Sequence, residues 1–127
     1  MPEQALSRWM QTLIAYVRSG QPDLTNRQMA LMMIVYLSQG PHTVRGLAER
    51  LGVSKPVITR ALNTLGALGY LRRVRDDADR RNVFVAKTPT GQDFLERFGR
   101  NLEGTGERSG GGTSRAPGER GLMLQPG

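Results

Sequence analysis

The sequence predicts a mainly α fold in which four helices, a hairpin of two short strands and a fifth helix follow one another within one domain. Three observations predict it. Apolar residues recur at intervals of three and four in five segments. Two short extended runs flank a segment of mostly charged residues, as in a β-hairpin. The chain has 127 residues, which suffices for one modest core but not for two domains of ordinary size.

The first two helices are predicted within residues 1–38. Residues 2–19 carry one wide apolar stripe at helical spacing, formed by Ala5, Leu6, Trp9, Met10, Leu13, Tyr16 and Val17. Thr25 and Gln28 have the spacing of a capping box, which predicts the start of a second helix. Residues 29–37 are apolar on nearly every side of that helix, so we expect it to be the buried central helix, and Gly40 and Pro41 stop it.

Residues 43–68 have the pattern of a helix-turn-helix. The third helix begins after Thr43, and the fourth is expected to be capped by Ser54 and to end at Gly69. Ala48, Gly52 and Ile58 are the small residue, the turn glycine and the branched apolar residue that this motif needs, at its spacing. An ordinary helical hairpin is the alternative interpretation. The motif makes the fourth helix a recognition helix.

Residues 70–87 are predicted to form a two-stranded wing, with strands at 70–75 and 83–87. A fifth helix covers residues 89–102 and has Phe94, Leu95, Phe98 and Leu102 on one face. The composition of residues 103–127 shifts to Gly, Ser, Pro, Arg and Glu, which predicts a disordered tail. The fold class is therefore a winged helix-turn-helix, with a three-helix core, a two-stranded β wing and flanking N- and C-terminal helices, over residues 1–102.

The positive charge is concentrated in the helix-turn-helix and wing. The formal net charge is +7, and 16 of the 18 basic residues are arginine, whose planar fork of donors suits phosphates and guanine edges. Residues 41–87 contain ten basic and four acidic residues, a net charge of +6. A high isoelectric point alone is a weak signal, but this asymmetry predicts double-stranded DNA as the partner.

The recognition helix has a candidate DNA-reading face. Because Ile58, Leu62 and Leu65 are expected to face the core, the opposite face near the helix start is expected to face DNA. That face contains Ser54, Lys55, Pro56, Val57, Thr59, Arg60 and Asn63. We expect Thr43 and Arg45, at the start of the third helix, to contact the DNA backbone. Spacing does not tell which of these residues touch bases.

The residue types on this face match groups in the major groove. Arg60 suits the O6 and N7 atoms of guanine, and Asn63 suits adenine. Thr59 and Val57 suit a thymine methyl group, and Ser54 with free backbone N–H groups beside it suits a phosphate. The alternative to a DNA-reading face is an ordinary solvent-exposed helix face.

The wing supplies a second candidate DNA contact. An arginine held extended by a neighbouring carboxylate, at the end of a two-stranded wing, suits a narrow minor groove. The candidate wing residues are Arg72, Arg73, Arg75, Asp79, Arg80 and Arg81.

Residues 79–91 read Asp-Arg-Arg-Asn-Val-Phe-Val-Ala-Lys-Thr-Pro-Thr-Gly, and this segment resembles the wing motif of the MarR-type winged helix-turn-helix regulators of bacteria. The resemblance covers about residues 24–98. It implies that Arg81 enters the minor groove, that Asp79 orients it, and that residues 54–63 read the major groove. Lys87 departs from the pattern, which usually has leucine there.

The end of the chain departs further from that family, whose members close with two long C-terminal helices that build a dimer interface with the first helix. Here glycines begin at Gly104, so we expect a short fifth helix, no sixth helix and no assignable effector pocket. A homodimer is still expected, through an apolar surface formed by Leu6, Trp9, Leu13, Val17, Phe94, Phe98 and Leu102.

Several classes of function are disfavoured. Without cysteine there are no disulfides, thiolate zinc sites or cysteine nucleophiles. The one histidine, His42, has only Glu49 among carboxylates within ten residues, and no glycine-rich phosphate loop follows a strand. We therefore expect no enzyme activity, no metal and no cofactor.

The remaining expectations concern location and the rival function. The first 19 residues do not resemble a signal peptide and no apolar run approaches the roughly 20 residues of a membrane span, so we expect a cytoplasmic, nucleoid-associated protein with no membrane contact. No feature identifies a small-molecule effector. The rival interpretation is a winged helix that docks a protein such as RNA polymerase, which would need exposed apolar anchors on the recognition face.

Overall fold

The computed structural model describes residues 2–109 and confirms the mainly α, winged helix-turn-helix fold class. The elements, in chain order, are α1 (Pro2–Arg18), α2 (Asn26–Leu37), β1 (His42–Thr43), α3 (Val44–Leu51), α4 (Lys55–Ala67), β2 (Leu71–Arg75), β3 (Val83–Lys87) and α5 (Pro89–Ser109). The order matches the predicted one, with β1 as an addition.

The helix α2 is the central element of the core, as its apolar sequence predicts. Thr25 and Gln28 form the predicted capping box: the Gln28 amide donates to the Thr25 hydroxyl at 3.1 Å, and the Thr25 amide to the Gln28 side-chain oxygen at 2.9 Å. The helix contributes four fully buried side chains to the core: Leu31, Met32, Val35 and Tyr36. They pack with the inward residues of α3, α4 and α5 in one cluster.

The helix-turn-helix forms as predicted. Thr43 caps α3 by accepting a hydrogen bond from the Gly46 amide at 3.0 Å, and Gly52 takes the left-handed conformation, with φ at +68°. Ser54 stands at the start of α4 with extended backbone, but its side chain makes no capping hydrogen bond. Ser54 is therefore the cap residue of α4, as predicted, but only its carbonyl accepts hydrogen bonds, from the Val57 and Ile58 amides.

The sheet has three strands in the order β1-β3-β2, all antiparallel. The wing strands pair from Leu71 with Lys87 to Arg75 with Val83, in agreement with the predicted hairpin. The sequence pattern did not predict β1, in which His42 and Thr43 pair with Val85 and Phe84. A two-residue strand has no alternation to detect, since its pairing is set by the packing of the elements on either side.

The end of the wing is joined to the core by a buried tyrosine, in a cluster that we call the wing root (Tyr36, Gly69, Tyr70, Thr88 and Gly91). The Tyr36 hydroxyl lies 2.7 Å from the Tyr70 carbonyl and 3.1 Å from the Thr88 carbonyl, and it accepts from the Thr88 amide at 2.9 Å. The Thr88 hydroxyl donates to the Gly69 carbonyl at 2.6 Å and accepts from the Gly91 amide at 2.9 Å. The wing root thus fixes α2, the start of β2 and the start of α5 to one another.

Gly91 has no room for a side chain. A Cβ atom there would collide with the Tyr36 hydroxyl and with the backbone carbonyl of Tyr70. The glycine therefore permits the close approach of α5 to the wing root.

The helix α5 differs from its prediction at its end. It continues to Ser109, whereas we expected a short helix over residues 89–102 and a disordered tail from residue 103. Extending an existing helix costs less than nucleating one, so Gly104 and Gly106 lower the propensity without ending the helix. Residues 110–127 of the predicted tail lie outside the described residues.

The apolar surface predicted for dimerisation is divided by the structure. Phe94 and Phe98 are only 1% and 2% exposed, because they pack on Tyr16, with ring centroids 6.1 and 5.3 Å away. Including these two phenylalanines in the dimer surface was therefore wrong: they belong to the core of this chain. The remaining predicted dimer residues are at least 39% exposed, and they are Leu6, Trp9, Leu13, Val17 and Leu102.

Candidate nucleic-acid interface

The exposed face of α4 is the predicted one. Ile58, Leu62 and Leu65 are buried, as expected. Of the predicted reading residues, Val57 is half-buried, and the others are exposed: Ser54, Lys55, Pro56, Thr59, Arg60 and Asn63. We call these seven residues the recognition face. They are mostly polar, so the face lacks the row of exposed apolar anchors that a protein-docking surface would need.

The start of α4 offers fewer free N–H groups than its sequence predicted. Pro56 has no N–H, and the amides of Val57 and Ile58 both donate to the Ser54 carbonyl. What remains for an anion at this end is the positive end of the helix together with the exposed Lys55 ammonium and Ser54 hydroxyl. A phosphate here would therefore be held mainly by side chains.

A side chain of the wing contacts the recognition face directly. The Arg73 guanidinium of β2 donates to the Asn63 side-chain oxygen of α4 at 2.7 Å, a short distance of the kind that charge-assisted hydrogen bonds have. Both residues are exposed. Sequence spacing could not reveal this contact, because the two residues belong to different elements. It makes the recognition face and the wing one continuous surface.

The tip of the wing is an ordered turn built on aspartate side chains. The Asp76 carboxylate accepts from the Ala78 amide at 2.9 Å. The Asp79 carboxylate accepts from the Arg81 amide at 3.1 Å and pairs with the Arg81 guanidinium at 3.3 Å. These bonds to Arg81, the side-chain one first, lower the pKa of Asp79 below its ordinary value. The Arg81 side chain is 85% exposed. The contact is made through its Nε atom, so the inner part of the side chain is held and the outer part is left in solvent.

The other wing arginines divide between the two faces of the hairpin. Because side chains alternate along a strand, Arg73 and Arg75 lie on the face of buried Leu71, and Arg72 lies on the opposite face. The Arg75 guanidinium donates to the Arg80 carbonyl at 2.9 Å, bracing the tip. These three arginines and Arg80 are all exposed.

The predicted backbone contacts at the start of α3 lie near this surface. Thr43 uses its hydroxyl to cap α3, so only part of its hydrogen-bonding capacity remains for a phosphate. Arg45 is exposed, and its positive charge contributes, as a smaller cause, to lowering the pKa of Asp79. The start of α3 is thus electrostatically coupled to the wing tip.

Two residues that the sequence did not assign to the DNA-binding surface also border the recognition face. Arg27 and Gln28, at the start of α2, line a surface depression together with Val57, Arg60 and Thr64. They are 29 to 37 positions away from these residues in sequence, so no local pattern could have assigned them to this surface. Arg27 adds a further cation beside Arg60.

Other kinds of site are not found in the part of the chain that the structure describes. No group of three or more histidine, aspartate or glutamate side chains there is placed to hold a metal ion. No helix among residues 2–109 is long and apolar enough to cross a membrane.

Comparisons with known proteins agree with the fold and the wing. The model of the MarR family matches residues 23–82. YwhA of Bacillus subtilis, described as an uncharacterized HTH-type transcriptional regulator, is 23% identical over 101 residues, which are 80% of this chain and 73% of that protein.

Solved structures are similar over most of the chain. The transcriptional regulator Tm0710 from Thermotoga maritima has a TM-score of 0.73 and 26% identity, covering 95% of this chain and 82% of its own. MepR of S. aureus, solved as a complex with DNA, has a TM-score of 0.66 and 20% identity, covering 86% and 84% of the two chains.

The family match spans the elements on which the site depends. Residues 23–82 begin before α2, contain the whole helix-turn-helix and end at the wing tip. The similarity to the solved structure of Tm0710 covers 95% of the chain and so includes α1 and α5. The chain is therefore similar to the MarR family over residues 23–82, in agreement with the resemblance that the wing motif indicated, and it has the winged helix-turn-helix fold.

Proposed function

We propose that this protein is a transcription regulator that binds double-stranded DNA sequence-specifically, with the recognition face in the major groove and Arg81 in the adjacent minor groove. The observation that carries the proposal is the hydrogen bond from Arg73 to Asn63, which joins the recognition face and the wing into one exposed, arginine-rich surface. A surface of this kind fits a duplex with its helix in one groove and its wing in the next.

The proposed roles follow from exposure and chemistry. Arg60 is placed on the exposed face to donate to guanine, and Thr59 and Val57 border it as contacts for a thymine methyl group. Arg81, whose Nε atom is held by Asp79, is the minor-groove residue. The proposed phosphate contacts are Thr43, Arg45, Ser54, Lys55, Arg72, Arg73, Arg75 and Arg80.

The similar proteins support the same class of function. YwhA and Tm0710 are described as transcriptional regulators, and MepR was solved bound to DNA. The polar recognition face favours DNA over the rival interpretation, a protein-docking winged helix.

The test is selection of bound fragments from random duplex DNA, followed by binding titrations with the selected sequence. We expect one enriched sequence, and Arg60→Ala to relax the preference at one position of it at a cost of about 1–3 kcal/mol. Arg97→Ala is the matched control, because Arg97 is an exposed arginine on α5 that pairs with Asp93. Failure to enrich any sequence would contradict the proposal. An equal loss on selected and random DNA would make Arg60 a phosphate contact.

We further propose that the protein acts as a homodimer through the exposed stripe of α1. That stripe contains Leu6, Trp9, Met10, Leu13, Ile14 and Val17, which are 40–71% exposed in the single chain. A contiguous apolar stripe of this size on one helix is typical of a covered surface. Two copies would place two recognition faces on symmetric half-sites.

The dimer is tested by measuring the mass in solution. Val17→Glu is expected to give a monomer, because it places a charge in the apolar stripe. Gln4→Glu, which lies on the opposite side of α1, is expected to leave the dimer intact. A monomeric wild-type protein would contradict the dimer and leave the DNA-binding proposal standing.

A further inference from the structure

We infer that Asn63 selects guanine rather than adenine at one operator position, because its bond with Arg73 directs toward the wing the acceptor that adenine recognition needs. The inference rests on the proposed function and assigns the wing a part in base choice in the major groove. The juxtaposition that carries it is the 2.7 Å hydrogen bond between the Arg73 guanidinium and the Asn63 side-chain oxygen.

Asn63 lies within the recognition face. It stands four residues after Thr59 and three after Arg60, so the three side chains share one side of α4. All three are exposed, whereas their neighbours Leu62 and Leu65 are buried. A side chain in this position faces the same groove as Arg60.

Chemistry fixes which end of the Asn63 amide faces Arg73. A guanidinium has donors and no acceptor, so it can hydrogen-bond only to the Oδ1 atom of an asparagine. Turning the amide by 180° would place its NH2 group against the guanidinium, donor against donor. The Oδ1 atom is therefore directed to the wing, and the NH2 group is the part of the amide that is left to read a base.

The two purines differ in what they offer to that group. Adenine presents one acceptor, N7, and one donor, the N6 amino group, so an asparagine reads both only with its oxygen and its NH2 together. Guanine presents two acceptors, N7 and O6, which suit an NH2 group alone. With Oδ1 turned toward Arg73, Asn63 does not present its oxygen and its NH2 group side by side to adenine, whereas its donors stay available for guanine. This reverses the asparagine–adenine pairing expected from sequence.

The experiment compares the selected DNA sequences of the wild type and four variants. Asn63→Ala identifies the position at issue as the one whose preference disappears. At that position we expect the wild type to bind guanine at least about fivefold more tightly than adenine, the lower end of the range for a good contact. Arg73→Ala frees Oδ1, so the preference should move to adenine by a similar factor. Arg72→Ala removes the same charge from the other face of β2. As the loss of a proposed phosphate contact it should weaken binding to every sequence equally and leave the preference at guanine.

Asn63→Asp separates base reading from the link to the wing. The aspartate still accepts from Arg73 but has no N–H to donate, so the guanine preference should be lost while the variant unfolds at the same denaturant concentration as the wild type. Because Asn63→Asp keeps Arg73 in place, it tests the inference even if Arg73→Ala does not fold.

Several results would overturn the inference while leaving the proposed function intact. They are an adenine preference in the wild type at the position set by Asn63, no position that depends on Asn63, and a guanine preference that survives either Arg73→Ala or Asn63→Asp. If the wild type enriches no sequence, the inference and the proposed function fail together.

Discussion

The two ends of the segment from Asp79 to Gly91 contrast sharply, although both belong to one sequence motif. At the tip, Arg81 is exposed and Asp79 is half-buried, and their hydrogen bonds are to each other and within the turn. At the wing root, Thr88 and Gly91 lie against the buried Tyr36 hydroxyl, with no space for one further carbon atom. The tip therefore presents charge to a partner, whereas the root holds the hairpin to the core.

This contrast explains why a motif can identify a family without each of its residues taking part in binding. The threonine and glycine at its end meet a steric and hydrogen-bonding demand of the fold, whereas the aspartate and arginine at its start meet none that the core imposes. Substitutions in the two halves should therefore differ in kind. Those at the root should change the free energy of unfolding, and those at the tip should change DNA affinity.

The largest effect is expected for Gly91→Ala. The added Cβ collides with the Tyr36 hydroxyl and the Tyr70 backbone, and the backbone cannot move away cheaply. We expect a loss of about 3 kcal/mol or more of unfolding free energy, measured by denaturant titration. Gly66→Ala is the matched control: a Cβ there meets only the Leu71 carbonyl at 3.9 Å, and alanine should stabilise α4 by up to about 1 kcal/mol. Equal stability of the two variants would remove the steric role of Gly91.

A smaller loss is expected for Tyr36→Phe. The variant keeps the ring in the core but leaves the Thr88 amide and the Tyr70 carbonyl without their buried partner. We expect about 1–3 kcal/mol less stability, from the cost of leaving buried polar groups unsatisfied. The same measurement on Tyr70→Phe is the control, since that side chain stacks on Phe94, with the ring centroids 4.6 Å apart, and lies outside the hydrogen bonds of the wing root. If Tyr36→Phe keeps full stability, the wing root does not depend on its hydroxyl.

The tip should behave in the opposite way. Because the Arg81 side chain is 85% exposed, Arg81→Ala should leave the free energy of unfolding within about 0.5 kcal/mol of the wild type. It should weaken DNA binding most where A·T-rich sequence flanks the site, since a narrow minor groove attracts arginine. Binding to duplexes with A·T-rich and G·C-rich flanks measures this. An unchanged flank preference would refute the minor-groove role.

The smallest effect concerns the titration of Asp79. Its bonds to Arg81 lower its pKa below the ordinary value near 3.8, so the link is complete above that value and is lost as the pH falls through the lowered one. Replacing Arg81 by alanine should raise the pKa of Asp79 part of the way back, because the bond to the residue 81 amide remains. Arg80→Ala should leave it unchanged. A carboxyl titration by NMR that finds the same pKa in all three proteins would show that the side-chain contact is not formed in solution.

The sequence predicted what local patterns determine. The capping box of Thr25 and Gln28 and the left-handed turn at Gly52 were predictable, since capping and left-handed turns depend on a few adjacent residues. The recognition face followed from the helical period once Ile58 and Leu62 were placed inward.

What the sequence could not predict depends on contacts between distant residues. The bond of Arg73 to Asn63, the proximity of Arg27 to Arg60 and the pairing of β1 with β3 all join separate elements. The burial of Phe98 was missed for the same reason, because it depends on how α1 and α5 pack together. The continuation of α5 past Gly104 was missed because propensity alone does not end a helix that has already formed.

The salt dependence of DNA binding tests the proposed function most directly. If the six cations proposed as phosphate contacts, Arg45, Lys55, Arg72, Arg73, Arg75 and Arg80, neutralise about six phosphates, the logarithm of the binding constant should fall linearly with the logarithm of the salt concentration, with a slope of about −5. The wild-type protein and its selected duplex suffice for the measurement. A slope near zero would contradict the proposal that this surface binds DNA.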